Sequence, residues 1–209
     1  MACLLPYRAL RRAGHLLTVA ALAVLLGAFP AAADTWEFDK QNTSVRFTWD
    51  HLGLSRQSAL FREVDGRLNF LPADPEGASV DVVIKPASIW TGIKEYDDNL
   101  KSESFFDVAR HPIITFRSIS VRTTGDRTGE VDGELTIMGI SRPVTLQVIW
   151  NFTGEHPFAS INPTYNGKWA SGFTATAKVR RSDWGLTRAL PLISDEIWIT
   201  IEAEFLLKR

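Results

Sequence analysis

The strongest constraint on this chain lies near its C-terminal end, in two alternating runs: Phe173, Ala175, Ala177 and Val179, then Ile197, Ile199, Ile201, Ala203 and Phe205. Successive side chains of a β-strand point to opposite faces, so each run describes a half-buried antiparallel strand with one apolar face. Small residues sit among the large ones on that face. Gly172, Ala175 and Ala177 leave two arrangements open: large neighbours such as Trp150 pack over them, or they leave volume for an apolar ligand.

Six more segments repeat the pattern, most of them set apart by Gly, Pro, Asp or Asn. They cover residues 43–49, 60–71, 78–85, 112–122, 129–138 and 144–150. In the first, Val45, Phe47 and Trp49 share a face and Ser44, Arg46 and Thr48 share the other. The compact connection from Met138 to Pro143 joins the last two as a hairpin. One stretch departs from this rhythm. Over residues 96–106 the apolar positions Leu100, Phe105 and Phe106 follow an acidic start, which predicts a short helix between the third and fourth strands, with Asp97 or Asp98 at its cap. Its apolar residues would turn inward as a lid or plug. The expected fold is therefore all-β, a single domain over residues 34–209. Eight antiparallel strands with short connections satisfy their edges best as a closed barrel, and a two-sheet sandwich is the competing arrangement.

The N-terminal segment has its own logic. Arg8, Arg11 and Arg12 precede an apolar run from Leu16 to Phe29, and Ala31-Ala32-Ala33 precede Asp34. This order of basic, apolar and small residues predicts a signal peptide over residues 1–33, cleaved after Ala33. The apolar run is too short for a stable span, which needs about 20 residues. A periplasmic or secreted location is expected, with the export route open. The single cysteine, Cys3, leaves with that segment, so the mature chain would hold together by its hydrophobic core, without disulfides. Without the three arginines, the 23 basic residues fall to 20 against 24 acidic, a balance of −4. That charge offers no general attraction to nucleic acid or to anionic membrane surfaces. An exposed strand edge would allow a homodimer.

Catalytic motifs are sparse. His51, His111 and His156 have no partner at metal-ligand spacing, and the sequence contains no phosphate loop and no Gly-x-Ser-x-Gly elbow. No metal, no cofactor and no enzymatic activity are expected. Glu95, Asp97, Asp98 and Glu103 cluster on the helical insertion, where a charge run usually forms a solvated face. The seven tryptophans keep a second class open, a secreted carbohydrate-binding or hydrolytic β-domain that stacks sugars on exposed rings. Trp49 and Trp150 lie on apolar strand faces and read more simply as core; Trp90, Trp169, Trp184 and Trp198 are less decided.

An ordered set of residues then resembles the YceI family of secreted lipid-binding proteins. The opening matches in Trp36-Glu37-Phe38-Asp39, Ser44-Val45-Arg46-Phe47, His51, Phe61 and Gly66. The centre matches in Ala87-Ser88-Ile89, Thr91, Asp97, Leu100, Ser102, Phe105-Phe106-Asp107, Pro112, Phe116 and Ser118. Gly133 to Ile137, Gly139 and Pro143-Val144 follow, and the end matches in Gly172-Phe173, Arg181 to Gly185 and Glu196. The resemblance implies a lipocalin-like antiparallel barrel whose apolar channel binds a long-chain isoprenoid, an isoprenoid quinone or a similar amphiphilic lipid, without a cofactor.

Taken with the alternation, this places Phe47, Trp49, Phe70, Leu100, Phe105, Phe116, Leu135, Leu146, Val148, Phe173, Ala175 and Ile199 on the channel wall. His51, Tyr96, Asp97 and Asn99 are expected at the mouth, against the ligand's head group. Two departures from the family bear on that head group. The family commonly has Arg-Asp-x-His-Leu where this chain has Tyr96-Asp97-Asp98-Asn99-Leu100, and Gly-x-Phe where it has Ala59-Leu60-Phe61. Tyr96 and Asn99 offer neutral hydrogen bonds in place of cationic or titratable groups, so a less charged head group such as a quinone, alcohol or amide is expected.

Overall fold

The computed structural model describes residues 33–208. The expected signal segment thus lies, apart from Ala33, outside the described residues. Eleven strands form one sheet: β1 (Asp34–Phe38), β2 (Ser44–His51), β3 (Ser55–Phe61), β4 (Val64–Leu71), β5 (Asp74–Ile84), β6 (Ile89–Trp90), β7 (Ile114–Gly125), β8 (Thr128–Ile137), β9 (Ile140–Glu155), β10 (Lys168–Arg180) and β11 (Glu196–Lys208). The order β1-β4-β5-β7-β8-β9-β10-β11 returns on itself through pairing of β11 with β1, which closes eight antiparallel strands into a barrel. The other three prolong the same wall. Along β11, β2 continues where β1 ends; β3 pairs with β2 and leads into β4; β6 follows β5 and pairs with β3. The wall is a barrel of eight staves, three of them broken once, and the sandwich arrangement is excluded.

Each break has a local cause. Phe38 pairs with Phe205 and Ser44 with Glu202, so the first stave spends six residues where its partner spends three. The surplus forms a turn on the buried Asp39, whose carboxylate accepts from the Gln41 N–H and the Asn42 side-chain amide, both at 3.0 Å. The second and third staves break side by side. There the Ser88 hydroxyl accepts the Arg62 and Glu63 N–H groups at 3.1 and 3.0 Å, which satisfies donors that have left the ladder.

Antiparallel staves place the connections at two ends. The turn end carries residues 72–73, 126–127 and 156–167. At the helix end are residues 52–54, the segment containing α1 (Lys94–Lys101), the turn at 138–139, and the loop 181–195. Met138 and Gly139 both have positive φ, 51° and 74°, which gives a two-residue hairpin of the type that matches strand twist. β9 therefore starts at Ile140, before Val144.

The helix begins at Lys94, two residues earlier than the acidic start suggested, and neither aspartate caps it. Ile93 occupies the cap position and offers no side-chain acceptor. Asp97 instead accepts the Thr91 N–H and hydroxyl, both at 2.7 Å, and Asp98 pairs with Lys94 one turn back at 2.5 Å. Leu100 and Phe105 pack against the core and Phe106 is buried, so the insertion does plug this end.

Trp36 and Trp184 are almost wholly buried, and their indole N–H groups donate to the Phe70 and Leu135 carbonyls at 3.1 Å each. Gly66 on β4 is a closer constraint. Its φ is +151° and a Cβ there would lie 2.0 Å from the Asp81 carbonyl oxygen on β5. We expect Gly66→Ala to cost at least ~2 kcal/mol through backbone strain and overlap, measured as a lowered midpoint in urea unfolding.

Candidate functional site

The inward face of the staves encloses a cavity of about 440 Å³, within the range of roughly 300–1,000 Å³ common for small-molecule sites. Its lining reaches from Thr128 and Gly129 at the turn end to Leu100 and Leu186 at the helix end. The wall between is nearly all apolar because one alternating face of every stave points into it. Phe38, Phe70, Trp150, Phe173 and Phe205 form one aromatic cluster toward the turn end, with neighbouring ring centroids 4.3–5.9 Å apart. Phe47, Trp49, Phe61 and Phe106 form a second toward the helix end, at 5.2–6.0 Å.

The expected wall residues Phe47, Trp49, Phe70, Leu100, Phe105, Phe116, Leu135, Leu146, Val148, Phe173, Ala175 and Ile199 all line this cavity. His51, Tyr96 and Asn99 line it at the helix end. Asp97 does not, since its carboxylate is taken up by Thr91 in holding the turn into α1. Of the three small residues on β10, Ala175 lines the cavity. Ala177 packs against the core outside the lining, and Gly172 sits at the irregularity where the register with β9 shifts. Spare volume there comes from Ala175 alone.

Arg181 and the loop it anchors are the largest addition to the sequence reading. Arg181 lines the cavity at the helix end and is buried. Its guanidinium donates to three carbonyls of one loop: Nε to Ser194 at 2.9 Å, Nη1 to Leu186 at 2.5 Å and Nη2 to Ile193 at 3.0 Å. Burial lowers its pKa against the opposing charge of Asp195. The same loop is tied to β2, because Ile193 bridges His51 and the Leu52 N–H donates to the Leu192 carbonyl at 2.9 Å. Extending the two opening alternations by one step toward the helix end reaches Arg181 after Val179 and Asp195 before Ile197. That was the available signal.

Asp195 closes the loop onto the barrel. Its carboxylate accepts the Ser182 N–H at 2.8 Å and the Ser182 hydroxyl at 2.7 Å. Burial would raise its pKa, but the Ser182 donors and the charges of Arg181 and Arg180 outweigh it and hold the group below the ordinary 3.8. A depressed carboxylate pKa stabilises the fold above the unfolded value, and that contribution is lost as pH falls through the folded one. Stability should therefore drop as pH falls below about 3.8. In Asp195→Asn that part of the drop should be absent, as read from urea midpoints across the acid range.

At the turn end the lining is polar and exposed, with Thr123, Asp126, Arg127 and Thr128. Arg127 donates to the Asn151 carbonyl at 2.8 Å and lies 5.8 Å from the centre of the Trp150 ring. Among the described residues no three His, Cys, Asp or Glu side chains converge as a metal site would require, and no described helix is long and apolar enough to cross a membrane.

The YceI-like domain model matches residues 36–205, nearly the entire barrel. The chain belongs to the YceI family. A UPF0312 protein of Pseudomonas putida strain F1 is 35% identical over 174 residues, which covers 81% of this chain and 86% of the relative. The YCEI protein of Campylobacter jejuni is similar in structure, with a TM-score of 0.65 and 28% identity over 77% of this chain and 90% of its own. A polyisoprenoid binding domain from Saccharophagus degradans shares the fold at a TM-score of 0.60 and 13% identity, over 81% of this chain and 97% of that one. The YceI barrel here thus encloses an apolar interior with one polar set at each end.

Proposed function

We propose that this YceI protein is an exported, non-enzymatic carrier that holds a long-chain isoprenoid, or a similar single-chain amphiphile, inside its barrel. The observation that carries this reading is the apolar cavity reaching from one end of the barrel to the other. An apolar chain drawn from water into such a tube gains about 0.8 kcal/mol per CH2, so a few isoprene units supply substantial affinity with few polar contacts. The Saccharophagus degradans barrel of the same fold is a polyisoprenoid binding domain by name, which supports the same class of ligand. Tyr96 and Asn99 at the helix end suit a neutral head group.

The sugar-binding reading keeps one exposed ring, Trp90, with Arg62 5.6 Å from its centre, and loses most of the others. Trp36 and Trp184 are buried and Trp49 and Trp150 face the cavity, while the Trp198 ring is covered by Arg56 at 4.7 Å and Lys178 at 5.5 Å.

Native mass spectrometry of protein isolated from the producing cell's envelope should show a mature chain beginning at Asp34 with a bound neutral lipid. A prenyl diphosphate in its place would count against the neutral head group, and a chain still carrying residues 1–33 would count against export. Ala175 is buried on the cavity wall opposite Val148 and Ile201 in the ladder. Ala175→Trp should fill that space and reduce lipid binding at least tenfold in a variant that keeps the wild-type far-ultraviolet circular dichroism. Unchanged binding would sink the channel assignment.

A further inference from the structure

Among the described residues lining the cavity, Arg181 is the only buried charged side chain, at 7% exposure; Asp126 and Arg127 are exposed and His51 is partly so. A guanidinium has five N–H donors and stays charged even where burial disfavours the charge. Three of those donors are spent on the carbonyls of Leu186, Ile193 and Ser194. One on each terminal nitrogen has no partner among the described hydrogen bonds. Among the described residues no carboxylate pairs with the group directly, because Asp195, whose charge opposes the effect of burial from a distance, is hydrogen-bonded to Ser182. If the apolar tube only had to be sealed, an apolar residue would serve better here, since a buried cation without a directly paired counter-charge is costly.

Resting on the carrier reading above, we propose that Arg181 is the specificity-determining residue of the cavity. Its two free N–H groups donate to a terminal oxygen of the ligand, a carbonyl or carboxylate group, so the ligand lies with its oxygenated end at the helix end and its hydrocarbon chain toward the turn end. The three loop carbonyls hold the guanidinium flat in one place, which is what a hydrogen bond to a single incoming oxygen needs. His51, Tyr96 and Asn99 belong to the same end of the cavity and complete its polar surroundings.

The test uses three probes of equal chain length: a prenyl methyl ketone, the matching prenyl carboxylic acid and the matching prenyl hydrocarbon. Binding to the mature protein is followed by quenching of tryptophan fluorescence. Wild type should bind the oxygenated probes roughly ten- to a hundredfold more tightly than the hydrocarbon, as for a hydrogen bond to a charged group in a low-dielectric site. The ketone and acid arms tell a neutral carbonyl from an anion. In Arg181→Met the ratio of oxygenated to hydrocarbon affinity should fall to near one, and using the ratio removes any general loosening of the loop. The carbonyl stretch of bound ketone should shift to lower frequency in wild type. If the variant does not fold, the wild-type ratio and that shift decide alone. Equal affinity for ketone and hydrocarbon in wild type would overturn the assignment and leave the carrier reading standing, as would a ratio retained in Arg181→Met. Failure of all three probes to bind would overturn both.

Discussion

Closure of the sheet through β11 is the constraint on which the remaining structure depends. One edge of β11 pairs with β10 over its whole length, from Glu196 to Lys208, and the other pairs with β2 and then β1. With both edges occupied, the long staves satisfy their backbone groups within the ladder and the sheet has an inside. The number of staves sets the radius of that inside, and the side chains must fill it or leave it open. The two aromatic clusters narrow it toward the ends. In the middle, inward residues such as Val148, Ala175, Ile199 and Ile201 are too short to complete the filling, and the cavity is what their lengths leave.

The breaks in the first three staves serve the same closure. A continuous strand from Asp34 to His51 would have to keep register with β11 throughout. The turn on Asp39 inserts three residues without losing either partner, since Asp39 itself donates its N–H to the Glu204 carbonyl at 2.8 Å. Breaks in the neighbouring staves, at Arg62 and Lys85, keep all three wall segments in step.

What was legible in the sequence follows from the range over which each signal acts. Alternation is a two-residue signal, and it placed Phe47, Trp49, Phe116, Leu135, Leu146 and Phe173 on the inner face without reference to the fold. Alternation alone did not separate a closed barrel from a sandwich, because closure depends on β11 meeting β1 across nearly the whole chain; the need to satisfy strand edges and the family resemblance pointed to the barrel. Strand β1 was missed because its five residues contribute only Trp36 and Phe38 to the alternation. Asp97 was misread for a related reason. An aspartate at a helix start suggests a cap, but here its acceptor is needed by Thr91 six residues earlier, a contact that exists only once the loop has folded. The run on β10 was read as ending at Val179, where its apolar character stops. The strand itself ends at Arg180, and Arg181, the first residue of the 3-10 turn that follows, still faces the cavity.

That last step bears on how a tube can be selective. Burial of an apolar chain is non-directional and nearly indifferent to which end enters first, so a wall made of Ile, Val and Phe fixes neither orientation nor register. Direction has to come from polar groups, and the two ends offer them in unequal surroundings. At the turn end Arg127 is exposed and already bonded to the Asn151 carbonyl, where water competes for any contact it makes. At the helix end Arg181 is buried and held by a loop that is pinned to β2. The same hydrogen bond is electrostatically stronger in the drier setting, where fewer waters compete for it. The asymmetry of the barrel's two ends therefore converts a non-directional hydrophobic tube into a site with a defined polar terminus.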